Sequence, residues 1–145
     1  MLDLALAIGH HILIFALFGV LAAELVTVRR GLTPAAVARI AAVDLWYGIL
    51  AGLILIVGFS RAVFAAKGWT YYEHNAFFWA KIGAFALVGL LSVPPTIRFI
   101  AWRRAGVAPT DAEVAGVRRY LVAEVVLFAL LPAFAAAMAR GYGEF

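Results

Sequence analysis

The chain contains no cysteine. That excludes disulfides, thiolate metal sites, iron–sulfur clusters and a covalently attached CxxCH haem. Charge is also scarce. Asp, Glu, Lys and Arg make up 14% of the 145 residues, against about a quarter in a soluble domain. No nucleophile–base triad, Gly-rich phosphate loop or HExxH motif is present. The net charge of +4 is not a nucleic-acid footprint. Its basic residues sit at the ends of apolar runs, where they set orientation and meet anionic lipid.

What fills the sequence instead is apolar. Hydrophobic residues account for 66% of it, with a mean hydropathy of +1.01. Four runs, at about 4–28, 40–64, 76–102 and 117–139, each reach the ~20 residues that cross a bilayer. The first is too long for a signal-peptide core and has no small-residue cleavage site after it. These runs predict an all-α integral membrane four-helix bundle, a single transmembrane domain over 1–145.

Orientation follows from the basic residues. Arg29, Arg30, Arg39, Arg98, Arg103, Arg104, Arg118 and Arg119 flank the first and third loops. Arg61, Lys67 and Arg140 lie at the other ends. The excess predicts that the first and third loops are cytoplasmic and both termini lie on the outer side.

Local signals mark the joints. Thr33-Pro34 reads as an N-cap followed by proline at the first helical position. The turns at 35–42 are expected to lie at the interface before the second span. Gly48 and Gly52 form a GxxxG face suited to close helix approach, so a homo-oligomer or a larger membrane complex is a candidate assembly. Residues 65–75 read as an interfacial loop with aromatic anchors. A surface metal site at His74 and Glu73 is conceivable there, but a solvated histidine is the better reading. Pro94-Pro95 predicts a kink or a change to extended chain. Thr110 or Asp111 is the expected N-cap of the last span, which carries Pro132 inside it.

Two polar layers interrupt the apolar bundle. At 1.5 Å per residue, His10 lies ~9 Å and Lys81 ~8 Å from the same membrane edge. Arg61 is slightly shallower. An ionisable residue at such depth is a functional-site candidate by default. His10 and Glu24 are close to four full turns apart and share a face with Ile14, Leu17 and Leu21. His11 is turned ~100° away, which makes His10 the better interior candidate and His11 the second.

The other layer contains Glu24, Asp44, Arg98 and Glu124, one to two turns from the opposite edge. These four are expected to face each other, either as a pin that fixes helix rotation or as a proton entry point. For the first layer the plain reading has Lys81 and Arg61 snorkelling outward and the histidines donating to helix carbonyls. The functional reading has His10 ligating a haem iron. Lys81 would then be a second ligand, when neutral, or a partner of a haem propionate, with Arg61 helping. Phe77, Phe78, Trp79, Phe85, Phe15 and Phe18 could pack on the porphyrin or face lipid.

AEL at 23–25, VDLWYGILAGLILIVGFSR at 43–61, KG at 67–68, and FWAK followed by GLLSVPPTIRF at 78–99 resemble a bacterial four-span family, domain of unknown function 2214. Asn75-Ala76 stands where that family is expected to have Asn-Pro, and the loss of the proline is expected to shift only the start of the third span. More distantly, the early histidine of the first span and the lysine after the aromatic start of the third resemble HemJ-type protoporphyrinogen oxidases and CopD-like membrane proteins. That likeness implies a haem b cofactor, His10 as a haem ligand, and Lys81 as its partner or as a catalytic group. The expected function is a haem-b-binding membrane redox protein, for electron transfer or porphyrinogen-type oxidation. The alternative is a cofactor-free accessory subunit or assembly factor.

Overall fold

The computed structural model describes residues 2–64 and 68–145. They form six helices: α1 Leu2–Thr27, α2 Pro34–Phe64, α3 Gly68–Glu73, α4 Ala76–Ala105, α5 Asp111–Phe128 and α6 Leu130–Ala139. Four helical stretches are long and apolar enough to cross a membrane: α1, α2, α4, and α5 with α6 taken together. Their 26 to 31 residues correspond to ~39–46 Å of helix, ample for a hydrocarbon core of ~30 Å. The expected all-helical bundle with four spans is therefore what the chain forms. Lys67, placed among the basic residues at the termini end, lies outside the described residues.

Each span runs antiparallel to the one before it. α1 packs on α2 and α5, and α4 packs on α2, α5 and α6. This closes a four-membered ring around Leu17, Leu21, Ile40, Tyr47, Ile54, Val88, Phe99, Leu121 and Phe128, all buried. Phe15, Trp46, Ile56 and Leu90 point outward. An apolar exterior of this kind suits hydrocarbon, where only the helices' internal bonds satisfy the backbone.

The joints show how the sequence directs the chain. Thr33 Oγ1 accepts from the Ala36 N–H at 3.3 Å, and α2 starts at Pro34, as its residues predict. It then runs unbroken to Phe64, so 35–42 are the first turns of the helix that forms the second span. Thr110 caps α5 in a full capping box with Glu113. Gly106, with φ +66°, ends α4 and donates to the Trp102 carbonyl at 3.1 Å. At the end of α1, Arg118 of α5 donates through Nη1 to the carbonyls of Leu25 (2.7 Å) and Val28 (2.8 Å).

Three expectations change. Pro94 and Pro95 do not end α4 or turn it to extended chain; both lie inside a continuous helix. The missing N–H groups leave the Leu90 and Leu91 carbonyls without helical partners, and packing on α2 and α5 holds the helix through the gap. The last span instead breaks at Ala129. Pro132 has no N–H for the Phe128 carbonyl and its ring crowds that carbonyl, so the break sits in the turn before it. Within the expected interfacial loop, 68–73 form the short helix α3.

At the same end the C-terminal tail folds back. Asn75 is wholly buried. Its Oδ1 accepts from the N–H groups of Phe77 and Phe78, and its Nδ2 donates to the Tyr142 carbonyl at 3.0 Å. The Ala76 N–H donates to the Gly143 carbonyl at 2.8 Å. α4 begins at Ala76, directly after this cap. Gly48 and Gly52 have no neighbour within 4 Å of where a Cβ would sit, so the GxxxG face is turned away from the chain's own helices.

Candidate functional site

The ionisable groups inside the bundle fall into two separate clusters. The first, at the termini end, is basic. His10 of α1 is half-buried, and its ring lies against Gly58 of α2. A Cβ at Gly58 would stand 3.3 Å from His10 Cε1 and 3.7 Å from Nδ1. The missing side chain lets the imidazole seat closely without shifting by a few tenths of an ångström. Nδ1 of His10 is buried and has no hydrogen-bond partner, and the same is true of Nε of Arg61 on α2.

Lys81 of α4 is half-buried, with Nζ 5.5 Å from the centroid of the Phe78 ring, a cation–π contact. Lys81, Arg61 and His10 are close enough to act on one another electrostatically. Among the described residues no carboxylate forms a salt bridge with Lys81 or Arg61.

His11 stands at the edge of the cluster, its ring centroid 6.3 Å from that of His10 in an edge-on arrangement. It is exposed, and its Nδ1 lies 2.7 Å from the Ala7 carbonyl one turn earlier. The expected donation to a helix carbonyl thus holds for His11 and not for His10. The aromatic set is dispersed. Phe78 is buried beside Lys81, Trp69 and Tyr72. Phe77 packs on Phe134, and Phe18 on Phe128. Phe15 faces outward, and exposed Trp79 donates its indole N–H to the Glu73 carbonyl. His74 is exposed near Glu73, with Nδ1 2.9 Å from the Thr70 carbonyl.

The second cluster, toward the other end, is acidic. Glu24, Asp44 and Glu124 come from α1, α2 and α5, and all three are buried. Thr96 of α4 donates to Asp44 Oδ1 at 2.8 Å, and Tyr47 of α2 donates to Glu124 Oε2 at 3.0 Å. Oε1 of Glu24 and Oε1 of Glu124 are buried and unpartnered. Arg98, expected in this cluster, is elsewhere. Its side chain is 59% exposed and its Nη1 is 4.0 Å from Glu113 Oε1. The reason is helical phase: Arg98 is ~200° around α4 from Thr96, which faces Asp44.

Tyr47 and Thr96 are the members of this cluster that counting charges misses. The signal that finds them is spacing, because Tyr47 follows Asp44 by three residues on one helical face. A groove of about 350 Å³ opens between α1 and α2, lined by Ala23, Glu24, Thr27, Arg39, Ile40 and Val43. Among the described residues no group of three or more His, Cys, Asp or Glu side chains is arranged to hold a metal ion.

No curated protein and no solved structure matches this chain. Residues 2–143 match the family described as "Predicted membrane protein (DUF2214)". The match covers nearly the whole four-span chain, and the protein belongs to that family.

Proposed function

We propose that the protein binds haem b in a bacterial inner membrane, with His10 as an iron ligand and Lys81 beside it. One observation carries the reading: among the described residues the buried Nδ1 of His10 has no partner, and the two cations next to it have no salt-bridged carboxylate. A buried polar atom without a partner is costly and calls for an explanation.

The residue types present fit the group. An imidazole nitrogen is a common haem ligand, and ammonium and guanidinium groups pair with carboxylates such as propionates. His10 would hold the iron, and Lys81 and Arg61 would balance the propionates. When bound, haem supplies one-electron chemistry. The chain's own part is to orient and to insulate. Gly58 fixes where the imidazole can sit, Phe78 shelters the Lys81 ammonium, and the apolar spans keep bulk water out. Electron transfer or oxidation of a porphyrinogen-type substrate are the reactions this arrangement suits. The arginine bias puts the 28–33 and 106–110 connections on the cytoplasmic side.

The test is a visible spectrum of the protein purified in mild detergent from haem-supplied cells, oxidised and then dithionite-reduced. A Soret band with sharp reduced α and β bands is expected, lost in His10→Ala and retained in His11→Ala. A colourless preparation that carries a stoichiometric partner protein overturns the reading in favour of an accessory subunit.

A further inference from the structure

The acidic cluster has no part in the haem reading, and its chemistry is independent of it. Three carboxyl groups from three helices meet inside the bundle. Among the described residues none of them is in a salt bridge. The nearby arginines are turned to other work. Arg118 holds the Leu25 and Val28 carbonyls, Arg98 lies by Glu113, and Arg39 lines the groove. The groups facing the cluster are Glu24 and Thr27 of α1, Arg39, Asp44 and Tyr47 of α2, Ser92 and Thr96 of α4, and Glu124 of α5.

We infer that Glu24, Asp44 and Glu124 form an intramembrane proton-binding site, filled from water at the 28–33 end through the groove between α1 and α2.

Three observations lead there. Glu24 is 2% and Glu124 1% exposed, yet each has a buried oxygen with no partner. An ionised carboxylate only accepts, whereas a carboxylic acid also donates. Of the four hydroxyls facing the cluster, Thr96 and Tyr47 donate to Asp44 and Glu124, and Thr27 and Ser92 donate to the Ala23 and Gly89 carbonyls of their own helices, which leaves Glu24 without a donor. A proton shared within the cluster supplies the missing donor and removes a buried charge, which is expensive in a bilayer.

The same residues are not arranged to hold a metal ion, as noted for the described residues. Access is built in. Glu24 forms part of the wall of a groove of about 350 Å³, room for roughly ten waters at ~30 Å³ each. Uptake moves one proton from a water or hydronium in the groove to a carboxylate oxygen. The conjugate base stays in the aqueous phase, and no other bond changes.

The experiment is infrared spectroscopy of the full chain in lipid nanodiscs at neutral pH, in H2O and in D2O. A carboxylic-acid C=O stretch is expected in the wild type, downshifted within minutes of transfer to D2O. Glu24→Gln should remove or shift the band; Asp44→Asn and Glu124→Gln should shift it. Absence of the band in the wild type overturns the proposal whether or not the variants fold. So does a band identical in all three variants, or one lost when potassium or sodium chloride replaces choline chloride, which would mark an alkali cation.

The route is tested separately. With no native cysteine, Thr27→Cys offers a single thiol in the groove. Its modification by a membrane-impermeant thiosulfonate, from the 28–33 side alone, is expected. An unreactive thiol there overturns the access route. A colourless preparation would bear on the haem reading and leave this result intact.

Discussion

The imidazole of His10 rests on the backbone of Gly58, where a methyl group would stand only 3.3 Å from its Cε1. Gly58→Ala therefore has two opposed effects. Alanine favours the helix by about 1 kcal/mol over glycine, and overpacking in a filled space costs about 1–3 kcal/mol. Thermal unfolding in detergent should show a net destabilisation of about 0–2 kcal/mol. The ring must shift by a few tenths of an ångström, so any bound haem should show a shifted or weakened spectrum. An unchanged spectrum together with raised stability would mean that His10 moves freely and is not held for a ligand.

Tyr47 and Glu124 are 77 residues apart in sequence and joined by one buried hydrogen bond. Tyr47→Phe removes the donor and leaves both Glu124 oxygens unpartnered. We expect a loss of about 1–3 kcal/mol in unfolding free energy. Glu124→Gln keeps an acceptor and should cost less. The double variant should be less destabilised than the sum of the two, with a coupling of at least about 0.5 kcal/mol. Strict additivity would mean that the bond contributes nothing.

Arg118 joins α5 to the last turn of α1 through two carbonyls. Hydrogen bonds to a charged donor are worth about 1.5–3 kcal/mol when sheltered and less when exposed. Arg118 is largely exposed, so Arg118→Ala should destabilise by about 1 kcal/mol. Hydrogen exchange of the amides at 25–32 should speed up at the same time. Arg118→Lys, with one compact ammonium, should recover part of the loss. Exchange unchanged in both variants would show that the cap is incidental.

The C-terminal tail depends on Ala76 and Gly143. A proline at 76 suits the first turn of a helix but cannot donate to the Gly143 carbonyl. Ala76→Pro should leave helix content unchanged while the tail becomes faster to cut by protease. Gly143 sits at φ +83°, and a Cβ there would be 2.6 Å from Phe77 Cδ2, so Gly143→Ala should release the tail more completely. Equal cleavage in all three proteins would show that these contacts do not hold it.

Long apolar runs made the spans readable, since a bilayer sets their length. Thr33-Pro34 and the Thr110 and Glu113 pair carry their chemistry locally and could be placed without a fold. Counting rise per residue put Glu24, Asp44 and Glu124 at one level. It did not settle rotation, and Arg98 shows the cost: right depth, wrong side of α4. The tail contacts could not be read either, because Asn75 meets Tyr142 only after the two spans between them have folded back. The seat of His10 on Gly58 depends on how closely two helices approach, which no residue count contains.

α4 carries Lys81 on one side of its proline pair and Thr96 on the other. Two successive rungs of its hydrogen-bond ladder are missing between them, so the helix is softest where it joins the basic half of the bundle to the acidic half. Lys81 is ~21 Å of helix from Pro95. A change of ~10° in bend at the prolines would swing that ammonium by nearly 4 Å, on the rise per residue alone. The pair thus makes α4 a lever. The basic and acidic halves of the bundle share one helix whose two ends are joined by its least bonded turn.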